Sequence, residues 1–142
     1  MVQLIVGNKG KGKTKIILEQ ANTAVKDSNG TIVYLDKSSK HMYELNNKIR
    51  LIDVSRFPIR NSDEFNGFIC GIISQDHDLD QIFLDGFLKI AAIPEDNNDA
   101  LLACVMELQK ISELFSVTII ISLSKDSEDL PDALRQFVAI SL

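Results

Sequence analysis

Six short apolar segments recur along the chain, and they predict the strands of a sheet. Each is nearly continuous in apolar residues and rich in β-branched ones, which is typical of strands buried on both faces. The predicted strands are Val2 to Val6, Thr31 to Asp36, Ile49 to Val54, Gln81 to Asp85, Val117 to Ser122 and Phe137 to Leu142.

Helical patterns lie between these segments. After the first strand, apolar residues recur with a helical period until the turn residues Asp27 to Gly30; they are Ile16, Ile17, Ala21, Ala24 and Val25. Three more helices are predicted, the last of them short, at Asp63 to Ile73, Asn98 to Leu114 and Pro131 to Gln136.

The alternation of strands and helices predicts the fold class. Strands that alternate with helices of this length form βαβ units with right-handed crossovers, which build a parallel sheet covered by helices on both sides. No repeat, linker or low-complexity stretch divides the chain. We therefore expect residues 1–142 to form a single α/β domain with a mainly parallel sheet.

Composition narrows the choice of partners. The chain has 45% hydrophobic and 25% charged residues, as an ordinary globular protein does. Its formal net charge of -5 would repel a phosphate backbone, so nucleic acid is not an expected partner. Four lysines nevertheless fall within one short segment, which suggests a small anionic ligand: Lys9, Lys11, Lys13 and Lys15.

The two cysteines and the lengths of the apolar runs indicate the cellular compartment of the protein. Cys70 and Cys104 lack a CxxC spacing and matching histidines, so neither a zinc site nor a disulfide framework is expected, and both are predicted to pack in the core. No secretory signal is recognisable, and the longest apolar runs fall far short of a membrane span. We expect a cytoplasmic protein with no membrane partner.

The segment after the first strand carries the most specific motif. It fits G-x-x-x-x-G-K-[ST] at every fixed position and lies between a predicted strand and a predicted helix. Its glycines allow successive backbone N–H groups to point inward at an anion, and the helix dipole adds positive potential. The motif reads Gly7-Asn8-Lys9-Gly10-Lys11-Gly12-Lys13-Thr14.

These residues are predicted to bind a nucleoside triphosphate with Mg2+. Lys13 would reach the β- and γ-phosphates, and the Thr14 hydroxyl would bind the metal. Lys9, Lys11 and Lys15 would contribute mainly by raising the local positive potential.

Asp85 is a second candidate metal ligand, because it ends an apolar strand at the edge where open α/β folds bind ligands. The alternative is a turn residue, since Gly86 follows. The acidic run from Asp76 to Asp80 is predicted to be a solvated loop before the strand, with metal binding as the less favoured alternative, and His41 is predicted to be a surface residue.

With this loop and Asp85, the chain resembles the P-loop NTPase superfamily, whose members have a three-layer fold. A strand ending in Ser122 follows Asp85, an order similar to that of the RecA-like branch of additional-strand ATPases. The resemblance implies that this strand lies between the loop strand and the Asp85 strand, with Ser122 or Ser124 near the γ-phosphate.

The sequence departs from this pattern at the residues of catalysis. Many relatives carry a Glu after the strand-end Asp, where this chain has Gly86. Asp36, at the end of the second strand, is a candidate general base and otherwise a turn residue. Arg135 is a candidate arginine finger for a neighbouring subunit and otherwise a surface residue. The guanine-reading Asn-Lys-x-Asp motif is absent, which favours ATP over GTP.

Three hypotheses follow for function. The first is an MgATP-binding protein that hydrolyses ATP slowly, or faster with a protein partner or a second copy that supplies the missing base or arginine. The second is a nucleotide-binding module without turnover. The third is a small-molecule kinase, which the lack of a recognisable lid or acceptor segment disfavours.

Overall fold

The computed structural model describes residues 1–142 and contains one six-stranded sheet in which every neighbouring pair of strands is parallel. The strand order is β3-β2-β4-β5-β1-β6. The strands are β1 Val2–Val6, β2 Thr31–Asp36, β3 Arg50–Asp53, β4 Leu79–Leu84, β5 Thr118–Leu123 and β6 Val138–Ser141.

Three long α-helices and one short helix connect the strands. They are α1 Lys13–Asp27, α2 Ser62–Ser74, α3 Phe87–Ile90 and α4 Asn98–Phe115. Short 3-10 helices occur at Met42–Glu44, Val54–Arg56, Ser127–Asp129 and Asp132–Phe137.

The helices cover both faces of the sheet, because strand side chains alternate between the faces. On one face, Ile32, Phe83 and Ile120 pack against the apolar side of α1. On the other, the intervening strand residues pack against α2, α3 and α4 in a core of 29 buried residues. The α/β prediction, with a parallel sheet between two helical layers, is confirmed.

The long helices differ in how they begin. The side chain of Asn61 accepts a hydrogen bond from the Glu64 N–H at 2.9 Å and caps α2, and Asn97 caps α4 through the Ala100 N–H at 3.0 Å. Helix α1 begins after Gly12 without any side-chain cap. Its first N–H groups therefore remain available to a ligand.

The predicted elements match the structure closely, with differences at their ends. β4 begins at Leu79, so the prediction of a solvated loop up to Asp80 is wrong at its last two residues; Leu79 is buried and enters the sheet. The short helix predicted at Pro131 to Gln136 is a 3-10 helix. Helix α3 was not predicted, because four residues are too few to show a helical period.

One of the two cysteine predictions is wrong. Cys104 on α4 is buried, and burial raises the pKa of its thiol to about 12. Cys70 on α2 is exposed, because the face of α2 that packs on the core carries the neighbouring Ile69 instead. None of the helices combines the length and apolar character needed to cross a membrane.

Candidate functional site

The loop between β1 and α1 depends on glycine at several positions. Gly10 and Gly12 have φ angles of 84° and 89°, in the left-handed region that favours glycine. At Gly7 a Cβ atom would lie 3.0 Å from the Leu142 Cβ, a contact too close to accept without movement. The loop from Gly7 to Thr14 therefore needs these residues for its shape.

The loop leads directly into the uncapped N-terminus of α1. No acidic residue lies in the first turn of this helix, so nothing on the helix itself neutralises the positive end of its dipole. Loop N–H groups and free helix N–H groups together form a typical anion-binding arrangement.

Lys13, the first residue of α1, folds back over this loop. Its side chain is mostly buried, and its Nζ donates to the Asn8 carbonyl oxygen at 3.0 Å. Burial lowers the pKa of Lys13, and the negative charge of Asp85 partly opposes that change. A buried cation bound only to a loop carbonyl is well placed to receive an anion.

Asp85 follows β4 and is held by hydroxyl groups from three other elements. Its Oδ1 accepts from the Ser122 hydroxyl at 2.8 Å and from the Thr14 hydroxyl at 3.4 Å. Its Oδ2 accepts from the Tyr34 hydroxyl at 2.9 Å. Ser122 Oγ in turn accepts from the Gly86 N–H at 3.0 Å. This network fixes the carboxylate beside the start of α1.

Strand parity explains why these groups meet. Residues at alternate positions of a strand share a face, and the carboxyl ends of parallel strands lie at one edge of the sheet. Tyr34 and Asp36 share the α1 face of β2, while Ser122 lies on the same face of β5. Asp85 continues this face beyond β4, two positions after Phe83.

Asp36 lies beside Asp85, because β2 and β4 are neighbours. Its Oδ1 accepts from the Lys37 N–H at 2.7 Å, but its buried Oδ2 has no hydrogen-bond partner. Burial raises the pKa of Asp36, and the Asp85 charge raises it further; the Lys37 N–H, His41 and Lys40 act in the opposite direction.

A pocket of about 500 Å3 joins these groups, and only two of its 17 lining residues are hydrophobic. Such a polar lining suits a highly charged ligand. Nine of the residues singled out from the sequence line it: Lys9, Gly10, Gly12, Lys13, Thr14, Asp36, Asp85, Ser122 and Ser124. Four residues of the predicted binding segment do not line it: Gly7, Asn8, Lys11 and Lys15.

His41, predicted to be a surface residue, is partly exposed. Its side chain is only 21% exposed, lines the pocket and contacts the Glu44 carboxylate. The segment after β2 also places Lys37 and Lys40 in the pocket lining.

Arg135 lies outside the pocket. Its guanidinium is 3.3 Å from the Asp132 carboxylate and donates to the Glu128 carbonyl oxygen at 3.1 Å. Half of its side chain is exposed, so within one copy of the chain it belongs to a local surface turn.

Sequence reasoning missed several residues of the site. Tyr34 could have been found from its position two residues before Asp36, which places both on one face of a strand. The pocket lysines of the β2 turn and α3 carry no motif and are brought together by the fold: Lys37, Lys40 and Lys89.

The structure contains no group of three or more His, Cys, Asp or Glu side chains arranged to hold a metal ion. No protein-family model matches the chain, and no curated protein matches it. What the protein binds is therefore inferred from the geometry of its pocket.

Proposed function

We propose that the protein binds MgATP at the Gly7–Thr14 loop and is a slow or partner-activated ATPase of the cytoplasm. The observation that carries this proposal is the junction of β1 and α1. There a glycine loop, an uncapped helix N-terminus and the buried Lys13 ammonium face one polar pocket. Few ligands other than a chain of phosphates match three anion-binding features so close together.

The donor set fits a magnesium ion in the same pocket. Mg2+ prefers oxygen ligands and is usually held by one or two side chains, with phosphates and water completing its shell. The Thr14 hydroxyl and the Asp85 carboxylate would hold it directly or through water, and the unpartnered Oδ2 of Asp36 lies at the next strand end. When bound, the metal would neutralise charge on the phosphates.

The strand order supports the proposed relation to the RecA-like additional-strand ATPases. β5 lies between β1 and β4, so Ser122 sits between the phosphate loop and Asp85. If the chain is related to these ATPases, Ser122 or Ser124 would contact the γ-phosphate side of the nucleotide.

Asp36 is the proposed general base. Its raised pKa makes its carboxylate a stronger base than an exposed aspartate, which suits removal of a proton from water. Its Oδ2 is enclosed, however, and the position after Asp85 is occupied by Gly86. Water would reach Asp36 only after a local movement, and this accounts for slow turnover without a partner.

The enclosed Oδ2 also favours one alternative. If no such movement occurs, the protein binds nucleotide without turnover and responds by a change of shape or partner. A nucleotide-binding regulatory module is therefore the second candidate function.

The deciding experiment compares the wild type with Lys13→Ala in the presence of Mg2+. ATP binding is followed by calorimetry and phosphate release in the same samples. Because a charge-assisted hydrogen bond contributes about 1.5–3 kcal/mol, we expect Lys13→Ala to lose roughly 10- to 100-fold in affinity and all phosphate release. Lys26→Ala, at the far end of the same helix, is the matched control.

A further variant separates the two candidate functions. Asp36→Asn should keep ATP binding and lose phosphate release if Asp36 is the base. Binding without release in the wild type would establish the non-hydrolysing module. Absence of ATP binding by the wild type, or equal binding by Lys13→Ala, would refute the proposed function.

A further inference from the structure

Among the pocket lysines that take part in no ion pair, Lys37 and Lys89 come from different elements. Lys37 follows β2 directly and Lys89 lies on α3, and both line the pocket. The structure contains four ion pairs, and neither lysine takes part in any of them. The nearby Glu95 carboxylate is already paired with Lys9 of the phosphate loop, at 3.3 Å.

These two cations also lie against each other. Contact with Lys37 is the first cause of a lowered pKa at Lys89, and the Glu95 charge only partly opposes it. Two ammonium groups brought together from different elements repel each other, and an anion between them would turn that repulsion into attraction.

Their position relative to the phosphate loop indicates which anion this is. The Thr14 hydroxyl donates to Asp85, so phosphates held by Lys13 and Thr14 adjoin the end of β4. Lys89 follows that strand within five residues, and Lys37 directly follows β2, the strand on the side of β4 away from β1. Lys37 therefore lies beyond Asp85 when viewed from the loop, and Lys89 lines the same pocket close behind Asp85 in the chain.

We propose that Lys37 and Lys89 form a cation pair that binds the terminal phosphate of the bound triphosphate. This inference rests on the proposed function and deepens it. The pair would give selectivity for ATP over ADP, and it would supply within one chain the positive charge that Arg135 does not bring to the pocket.

The test compares ATP and ADP affinities, measured by calorimetry with Mg2+, for the wild type and the double variant Lys37→Gln/Lys89→Gln. One lost charge-assisted hydrogen bond corresponds to about tenfold in affinity. We expect the double variant to bind ATP about tenfold or more weakly and ADP within about twofold of the wild type. Lys26→Gln/Lys110→Gln changes the net charge equally outside the pocket and should leave both affinities unchanged.

Several outcomes would overturn the inference. Equal losses of affinity for ATP and ADP would show that the two lysines act only through their general positive charge. Unchanged affinities would show that it contacts neither nucleotide, including the case in which it binds a separate anion. If the wild type binds ATP in a Lys13-dependent manner and the double variant binds like the wild type, the inference fails alone. If the wild type binds no ATP, both proposals fail.

Discussion

Replacing Tyr34 by phenylalanine would remove one hydroxyl group from the centre of the candidate site. The ring is fully buried and stacks on Phe83 at a centroid distance of 6.3 Å, and phenylalanine preserves that packing. The hydroxyl donates to Asp85 Oδ2 at 2.9 Å. The effect of Tyr34→Phe is therefore confined to one hydrogen bond to a carboxylate.

The magnitude follows from what remains around Asp85. Ser122 and Thr14 continue to donate to Oδ1, so only Oδ2 loses its donor. Hydrogen bonds to charged groups contribute about 1.5–3 kcal/mol, and we expect a loss of about 2 kcal/mol in the free energy of unfolding. For a domain of this size, that loss lowers Tm by roughly 6–8 °C.

The assay is urea unfolding at pH 7, supported by thermal melting. Tyr43 is the chain's other tyrosine and is 93% exposed, so Tyr43→Phe is the matched control and should change stability very little. Burial, and secondly the Asp85 charge, raise the pKa of Tyr34 above its ordinary value of about 10. The stability contributed by the neutral phenol is complete below pH 10 and declines as pH rises beyond it. The wild type should therefore lose stability above pH 10 more steeply than Tyr34→Phe.

A double-mutant cycle with Asp85→Ala provides the refutation. If Tyr34→Phe lowers the free energy of unfolding by as much in the Asp85→Ala background as in the wild type, the Tyr34 hydroxyl does not stabilise the fold through Asp85. A cost below about 0.5 kcal/mol in the wild type would show that the bond contributes nothing beyond an ordinary surface contact.

Three other substitutions test the structure in the absence of any ligand. The raised pKa of Asp36 means that its neutral form stabilises the fold below about pH 4, and this contribution is lost as pH rises through the folded pKa. Asp36→Asn keeps a neutral side chain at every pH, so relative to the wild type it should be more stable at pH 7 than at pH 3; an equal effect at both pH values in urea melts would contradict the assignment. A Cβ at Gly30 would overlap the Asp78 carbonyl oxygen, so Gly30→Ala should lower the free energy of unfolding by about 1–3 kcal/mol. Gly67 on α2 has open space around it, so Gly67→Ala should raise the free energy of unfolding by about 0.5–1 kcal/mol. If Gly30→Ala melted at a higher temperature than Gly67→Ala, both predictions would be wrong.

The features that the sequence predicted well are local ones. The Gly7–Thr14 loop is a contiguous motif, and its glycines and Lys13 act through backbone shape and one helix end. Asp85 was found because it ends an apolar strand. The strands were found because burial on both faces leaves few polar positions in them.

The features that could not be predicted from the sequence depend on which strands are neighbours in the sheet. The Tyr34 bond to Asp85 exists only because β2 pairs with β4, and no local pattern in either strand carries that information. The meeting of Lys37 with Lys89 has the same origin, since the two residues lie on different elements. Cys70 was misassigned because an apolar neighbourhood in sequence does not fix which side of a helix faces the core.

The position of β1 has a consequence for how the protein is made. β1 pairs only with β5 and β6, which lie at residues 118 to 141. The strand that leads into the Gly7–Thr14 loop is thus made before the other five strands, yet it has no pairing partner until β5 and β6 have been made. Contacts between such distant segments form slowly, because a long loop must close first. Because Ser122 of β5 lines the pocket, the pocket is completed only after this late pairing, and a ligand bound there can stabilise only a chain in which β1 and β5 are already paired.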